Sequence, residues 1–150
     1  MPKIYRTMYG QGGKPRVGDA WCELGVRPPG RMWPSGKPVP ADVDVDANGN
    51  VLLNKKGMSV FRSLADLPRL FSKLVPIHLA GKIRGAAGPI GTHIWTMGQG
   101  VFASGPLTSK LELRESGTQH GNVCPSQFMP IVALQNELAG TQGSWTIEEP

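Results

Sequence analysis

The sequence has few cysteines, no long apolar run and no internal repeat, and each absence excludes a class of protein. Cys22 and Cys124 are the only cysteines and form no CxxC pair, which excludes a disulfide-dense scaffold and leaves a single disulfide open. No stretch approaches the roughly 18 consecutive apolar residues of a membrane span, and the amino terminus has no apolar signal core. We therefore expect a soluble chain in a reducing compartment, the cytoplasm.

The composition fits one folded domain. The chain has 150 residues, of which 39% are hydrophobic and only 18% charged, enough for an ordinary core and too apolar for a disordered chain. Glycine at 20 and proline at 14 follow no period, which favours short strands joined by many turns. We expect a single domain over residues 1–150.

The net charge of +5 is concentrated near the amino terminus. Residues 1–40 contain only Asp19 and Glu23 as acids, against the bases Lys3, Arg6, Lys14, Arg16, Arg27, Arg31 and Lys37. Such a region either presents a positive surface to phosphates, nucleic acid or an acidic partner, or consists of solvated loop charges interleaved with proline and glycine.

Residues 44–55 begin like a calcium-binding loop. Asp44, Asp46, Asn48 and Gly49 match the first half of an EF-hand loop, but the last position holds Lys55 where a bidentate glutamate is required. The alternation of valine with aspartate around residues 43–46, followed by Asn48-Gly49 and a renewed apolar run, predicts a β-hairpin with a tight turn instead.

The histidines do not predict a metal site. His120 lies four residues before Cys124, whereas His78 and His93 stand far apart in other contexts. This spacing lacks the paired ligands of a zinc site, so we expect no metal.

Strand patterns dominate the middle of the chain. We expect strands at residues 4–9, 58–62 and 110–115, and a further pair around Gly98-Gln99-Gly100. Ser63 or Asp66 is expected to cap a short helix with Leu67, Leu70, Phe71 and Leu74 on one side and Pro68 in its first turn.

A second helix is expected from its N-cap Ser126 to Gly140. Phe128, Ile131, Leu134 and Leu138 would face inward, with Trp145 just beyond the helix end. The resulting order, mostly strands with a few short helices, predicts an α+β fold.

Several short stretches, taken in order, carry a family resemblance. "KIYRTMY", "DANGNV", "GMSVF", "TQHGNVCPSQFM" and "LAGTQGSW" together resemble the small ADP-ribosyltransferase-like toxins of type VI secretion systems. The resemblance implies two small, mostly antiparallel sheets that form a cleft for NAD. It also implies that the first-strand arginine, here Arg6, lies under the dinucleotide phosphates. Tyr5 and Tyr9, on one face of that strand, are either stacking surfaces for rings or core residues.

The resemblance assigns the nicotinamide pocket to "GMSVF". Ser59 would begin a strand against the pocket, Gly57 would permit close backbone approach, and Phe61 would form a wall for the ring. Ser59 and Phe61 also have plain structural interpretations, as a turn hydroxyl and a core aromatic.

The expected catalytic glutamate is missing. His120 stands in that region, and it can hydrogen-bond a ribose hydroxyl but cannot provide a fixed negative charge for an oxocarbenium transition state. Glu112 and Glu115 are near in sequence and Glu137 lies on the predicted helix, and none is assigned this role.

Three functions follow as hypotheses. The first is an NAD-dependent mono-ADP-ribosyltransferase toxin of the bacterial cytosol, with Arg6, Ser59 and His120 as catalytic residues, a macromolecular acceptor and a cognate immunity protein. The second is a non-catalytic toxin directed at RNA or translation through the basic amino-terminal region. The third is a relative that transfers or removes phosphate at RNA ends.

Overall fold

The computed structural model describes residues 1–67 and 91–148, which form one antiparallel sheet with an α-helix on one face. The strands are β1 (Ile4–Gln11), β2 (Lys14–Pro15), β3 (Met58–Phe61), β4 (Thr92–Met97), β5 (Gly105–Pro106), β6 (Leu111–Glu115), β7 (His120–Pro125) and β8 (Thr146–Ile147). The helix α1 spans Ile131–Gly140. The order across the sheet is β5-β6-β7-β3-β1-β4-β8, with β2 paired to the far end of β1. The α+β class is confirmed.

The expectation of two separate sheets is wrong, because β1 joins the two halves. On one edge β1 pairs with β4 from Ile4 to Tyr9, and on the other it pairs with β3 through Tyr5 and Phe61 alone. A strand has hydrogen-bonding groups on both edges, so one strand can belong to both halves of a sheet. Beyond this single pair the ladder between β1 and β3 is open, and β1 instead donates from Tyr9 N to the Cys22 carbonyl at 2.8 Å and from Arg6 Nη2 to the Glu23 carbonyl at 2.9 Å.

The main core lies on one face of the sheet, beneath α1. Alternation along the strands sends one set of side chains to this face, and Leu134 and Leu138 of the helix are fully buried against it. The two indoles here are satisfied, because Trp95 Nε1 donates to the Met8 carbonyl and Trp145 Nε1 to Thr141 Oγ1, each at 3.0 Å. Further members include Ile4, Met58, Val60, Leu111, Leu113 and Val123.

A smaller apolar cluster lies on the opposite face. It consists of Tyr5, Cys22, Phe61, Leu67 and Ile94. Cys22 and Cys124 are free, buried thiols, and burial raises the pKa of each to about 12. Both thiols are therefore protonated and unreactive at neutral pH.

The loop at residues 44–51 turns back as a hairpin but forms only one bridge, between Val45 and Val51. Gly49 N donates to Asp46 O at 3.1 Å, and Asp46 N donates to Asn50 O at 2.8 Å. These hydrogen bonds leave three residues, 47–49, in the loop. Within the loop only Gly49 has a positive φ, of 81°, whereas a two-residue Asn-Gly turn would require a left-handed Asn48 as well.

The aspartates of this loop bind protein groups. Asp46 Oδ1 accepts the amides of Asn48 and Asn50, and Asp44 Oδ2 pairs with Lys56 Nζ at 2.9 Å and accepts from Asn54. Within residues 1–67 and 91–148 no cluster of His, Cys, Asp or Glu is arranged to hold a metal ion.

Helix α1 begins four residues later than predicted, with Pro130 in place of Ser126 at its N-cap. Met129 O accepts from Val51 N at 2.9 Å, and Pro130 is extended (ψ 157°) and bridges to Asn50. The hairpin thus holds this segment in extended form, so Ser126 is not the N-cap. Phe128, predicted to face inward, is 66% exposed.

The remaining elements were predicted with mixed success. Strands β1, β3 and β6 are confirmed, but only β4 forms at Gly98-Gln99-Gly100, since residues 101–104 are irregular. Leu64–Asp66 is a short 3-10 turn, and the rest of the helix predicted there, including Leu70, Phe71 and Leu74, lies outside the described residues. No helical segment in the described ranges has the length and apolarity needed to cross a bilayer.

Candidate functional site

Polar side chains from three neighbouring strands share one face of the sheet, opposite the main core. Ser59 of β3 pairs with Asn122 of β7, which pairs with Arg114 of β6. His120 and Glu112 lie on the same face because they alternate with the core residues of their strands. These five residues, all half-buried, are called the polar patch below.

Phe61 forms the apolar border of the polar patch. It pairs directly with His120 across β3 and β7, and the two ring centroids are 5.2 Å apart at an interplanar angle of 57°. Ser59 lies two residues before Phe61 on the same strand face. The structure therefore brings together three of the residues that the sequence assigned to one pocket, namely Ser59, Phe61 and His120.

The environment of His120 favours the neutral form of its imidazole. Burial lowers its pKa below the ordinary histidine value, because desolvation penalises the charged ring. Neither Ser59 Oγ nor a ring nitrogen of His120 makes a hydrogen bond within the described part of the chain. Both groups are thus available to a ligand, and a neutral imidazole can donate one hydrogen bond and accept another.

Arg6 lies apart from the polar patch. It is adjacent to Tyr5 in β1 and pairs with the core residue Trp95, so it leaves the sheet on the main-core face. Its Nη1 donates to the Ser59 carbonyl at 2.8 Å, and its Nη2 donates to the Glu23 carbonyl at 2.9 Å. Burial lowers the pKa of Arg6. The guanidinium thus bridges the opening between β1 and β3.

Gly57 approaches protein backbone closely. A Cβ atom at this position would lie 2.0 Å from the Val123 carbonyl oxygen of β7. The absence of a side chain therefore lets β3 begin against β7, which places Ser59 opposite Asn122.

Tyr5 is a supporting residue in the smaller apolar cluster. Only 9% of it is exposed, its Cα partner in β3 is Phe61, and Lys3 Nζ lies 5.4 Å from its ring centroid. Its face is mostly covered, so it fixes the position of Phe61 more than it offers an open stacking surface.

Sequence reasoning missed Asn122 and Arg114, and it assigned no role to Glu112. Asn122 Nδ2 donates to the Lys55 carbonyl at 3.0 Å, and Lys55 has a left-handed φ of 67°. Arg114 donates from Nε and Nη2 to Glu112 Oε1 at 3.1 and 3.0 Å. The alternation of β6 was a usable signal, since it predicts that Glu112 and Arg114 share one face.

An open groove of about 690 Å³ lies elsewhere, beside β4 and β8. Lys3 and Glu148 line it and form an ion pair at 3.4 Å. None of the predicted catalytic residues lines this groove. The chemistry of the polar patch makes it the stronger candidate site.

Comparisons with protein-family models, with curated proteins and with solved structures found no match to this chain. The candidate site therefore stands on its geometry and on the sequence resemblance described above.

Proposed function

We propose that the chain is a toxin of the bacterial cytosol that acts as an NAD-dependent mono-ADP-ribosyltransferase on a macromolecular acceptor. The observation that carries this proposal is the convergence of Ser59, Phe61 and His120 on one face of adjacent strands. An apolar border beside a hydroxyl and a neutral imidazole suits an aromatic ring joined to a ribose.

The donor set of the polar patch fits NAD as a substrate. Phe61 is only 7% exposed, so its ring offers nicotinamide an apolar edge and not an open stacking face, while Ser59 and His120 offer hydrogen bonds to its amide and to ribose hydroxyls. In the transfer, the bond between ribose C1′ and nicotinamide breaks, and an acceptor nucleophile forms the new bond to C1′.

The developing positive charge on the ribose requires stabilisation. Glu112 is the carboxylate of the polar patch, but its Oε1 is paired with Arg114 and it lies two strands from Ser59. We therefore assign His120 to orienting the ribose and leave Glu112 outside the chemical step. A cognate immunity protein would protect the producing cell by covering this face.

The test is release of nicotinamide from NAD by the purified chain, with and without bacterial extract as acceptor source. We expect release by the wild type and loss of more than about tenfold in Ser59→Ala and His120→Ala. His93→Ala is the matched control, since His93 of β4 lies on the main-core face of the sheet, opposite the polar patch. No nicotinamide release under any condition, together with no NAD binding by saturation-transfer NMR, would sink the proposal.

A second candidate function is RNA binding through the amino-terminal region. Residues 24–41 contain Arg27, Arg31 and Lys37 and no acid, and Met32 and Trp33, at the start of the turn closed by Gly36, are 57% and 51% exposed. Basic side chains next to an exposed indole suit single-stranded nucleic acid. Anisotropy with a labelled RNA should then show salt-dependent binding that Trp33→Ala weakens. Binding that Trp33→Ala leaves unchanged would remove this candidate.

A further inference from the structure

The guanidinium that the sequence assigned to phosphate is already committed to the fold. Arg6 uses Nε, Nη1 and Nη2 on the carbonyls of Glu23 and Ser59, and it projects to the main-core face. A ligand on the face of Ser59 and His120 would have to pass through the sheet to reach it. Phosphate binding on the polar patch must therefore use another cation.

Arg114 is the arginine of the polar patch. It pairs with Asn122, which pairs with Ser59, so the three residues form one row across β6, β7 and β3. Neighbouring strands are about 5 Å apart, which places the backbone of Arg114 about 10 Å from that of Ser59. A nucleotide held by Ser59 and His120 would extend over this distance with its phosphates toward Arg114.

The guanidinium of Arg114 is oriented by Glu112 and keeps N–H donors for a ligand. Both of its contacts to Glu112 go to one carboxylate oxygen, from Nε and Nη2. A guanidinium has five N–H donors, and those on Nη1 make no hydrogen bond within residues 1–67 and 91–148. The side chain is 43% exposed, so a second oxyanion can reach it while Glu112 fixes its orientation.

Asn122 shapes the same end of the polar patch. Its amide donates to the Lys55 carbonyl and thereby ties the turn that carries a second cation to β7. Lys55 has no ion-pair partner in the described part of the chain. The patch thus contains a guanidinium of fixed orientation, and planar guanidinium forks match phosphate geometry.

We propose that Arg114, supported by Asn122, is the phosphate-binding residue of the polar patch, and that Arg6 is a positioning residue for β3. The ligand class is a nucleotide carrying a phosphate or diphosphate. For NAD as that ligand, the inference rests on the proposed function, whereas a phosphorylated RNA end would present the same chemistry from another source.

The test is calorimetric titration with three probes, namely NAD, inorganic pyrophosphate and a 5′-phosphorylated RNA oligonucleotide. We expect Arg114→Gln to weaken NAD and pyrophosphate binding by about 10- to 100-fold. Arg114→Lys, which keeps the charge but loses the fork, should fall between. Arg31→Gln is the matched control, because Arg31 is also 43% exposed and is ion-paired with Asp19.

The possible outcomes separate the two proposals. Equal NAD affinity in the wild type and Arg114→Gln would overturn the role of Arg114 while leaving the transferase proposal intact. RNA or pyrophosphate binding that Arg114→Gln abolishes, with no NAD binding, would support the phosphate site and refute the transferase. No binding of any probe refutes both. Unfolding midpoints show whether each Arg114 variant is folded. If Arg114→Gln is unfolded, the comparison with the wild type is made with Arg114→Lys.

Discussion

At the scale of single residues, Arg6 is expected to contribute more to stability than its position in an exposed basic region suggests. Its guanidinium is the partner of two main-chain carbonyls that close the opening between β1 and β3. Arg6→Ala leaves both carbonyls without that partner, and we expect a loss of about 3 kcal/mol in the free energy of unfolding. Urea denaturation measures it.

Arg114→Ala is the matched control for this prediction. Arg114 is half-exposed, and within the described residues its side-chain hydrogen bonds go to the Glu112 carboxylate of its own strand, so its removal should change the free energy of unfolding by less than about 1 kcal/mol. An Arg6→Ala variant as stable as the wild type would show that the two carbonyls find other partners. If the proposed toxin activity is lost in Arg6→Ala, a stability measurement is therefore needed before the loss is assigned to NAD binding.

His120 is expected to make stability depend on pH. Its folded pKa lies below the ordinary value, so as pH falls through about 6.5 the unfolded chain binds the proton first. Stability is thus fully present above about pH 6.5 and falls as pH drops toward the folded pKa. In urea denaturation at several pH values, the stability advantage of wild type over His120→Gln should shrink on acidification. A difference that stays constant with pH would contradict the burial of this ring.

At the scale of elements, the pairing of β3 with β7 depends on Gly57. A Cβ there would lie 2.0 Å from the Val123 carbonyl oxygen, which is backbone and cannot rotate away. We expect Gly57→Ala to destabilise the fold by about 3 kcal/mol as the strands are forced apart. For a chain of this size, that corresponds to a drop of about 10 °C in the melting temperature.

Gly143→Ala is the control for Gly57→Ala. A Cβ at Gly143 meets nothing within 4 Å, and the residue has no positive φ. Its melting temperature should stay within about 2 °C of the wild type. If Gly57→Ala melts with the control, β3 and β7 are not in close contact at that point.

The elements also show which sequence patterns are predictive. The alternation of Leu111 and Leu113 with polar residues identified β6 correctly, because one buried face produces that period. Strand β7 was missed, since Gly121 and Pro125 weaken its strand propensity, and pairing with β3 and β6 on its two edges compensates. The start of α1 was missed because the hydrogen bond from Val51 N to Met129 O is a tertiary contact, which no local sequence pattern contains.

At the scale of the whole molecule, register decides the candidate site. Ser59, Phe61 and His120 share a face only because Phe61 pairs with His120, and a slip by one residue would send His120 to the core. No local pattern contains that register. By contrast, the separation of Tyr5 from Arg6 was predictable, because consecutive residues of a strand point to opposite faces. The resemblance assigned both to one ligand, and the alternation of β1 argues against it.

The same scale supplies the last prediction, on whether the polar patch acts as one unit. If Ser59 and His120 bind one substrate, the losses in NAD turnover and in growth inhibition caused by Ser59→Ala and His120→Ala should be less than additive in free energy when combined, because removing either disrupts the same bound complex. The pair Ser59→Ala with His93→Ala is the control, since His93 lies on the opposite face; it should behave additively. Growth inhibition is measured beside the free energy of unfolding for every single and double variant. If the free-energy losses add in both pairs and follow stability alone, Ser59 and His120 are neighbours in the sheet without a shared substrate.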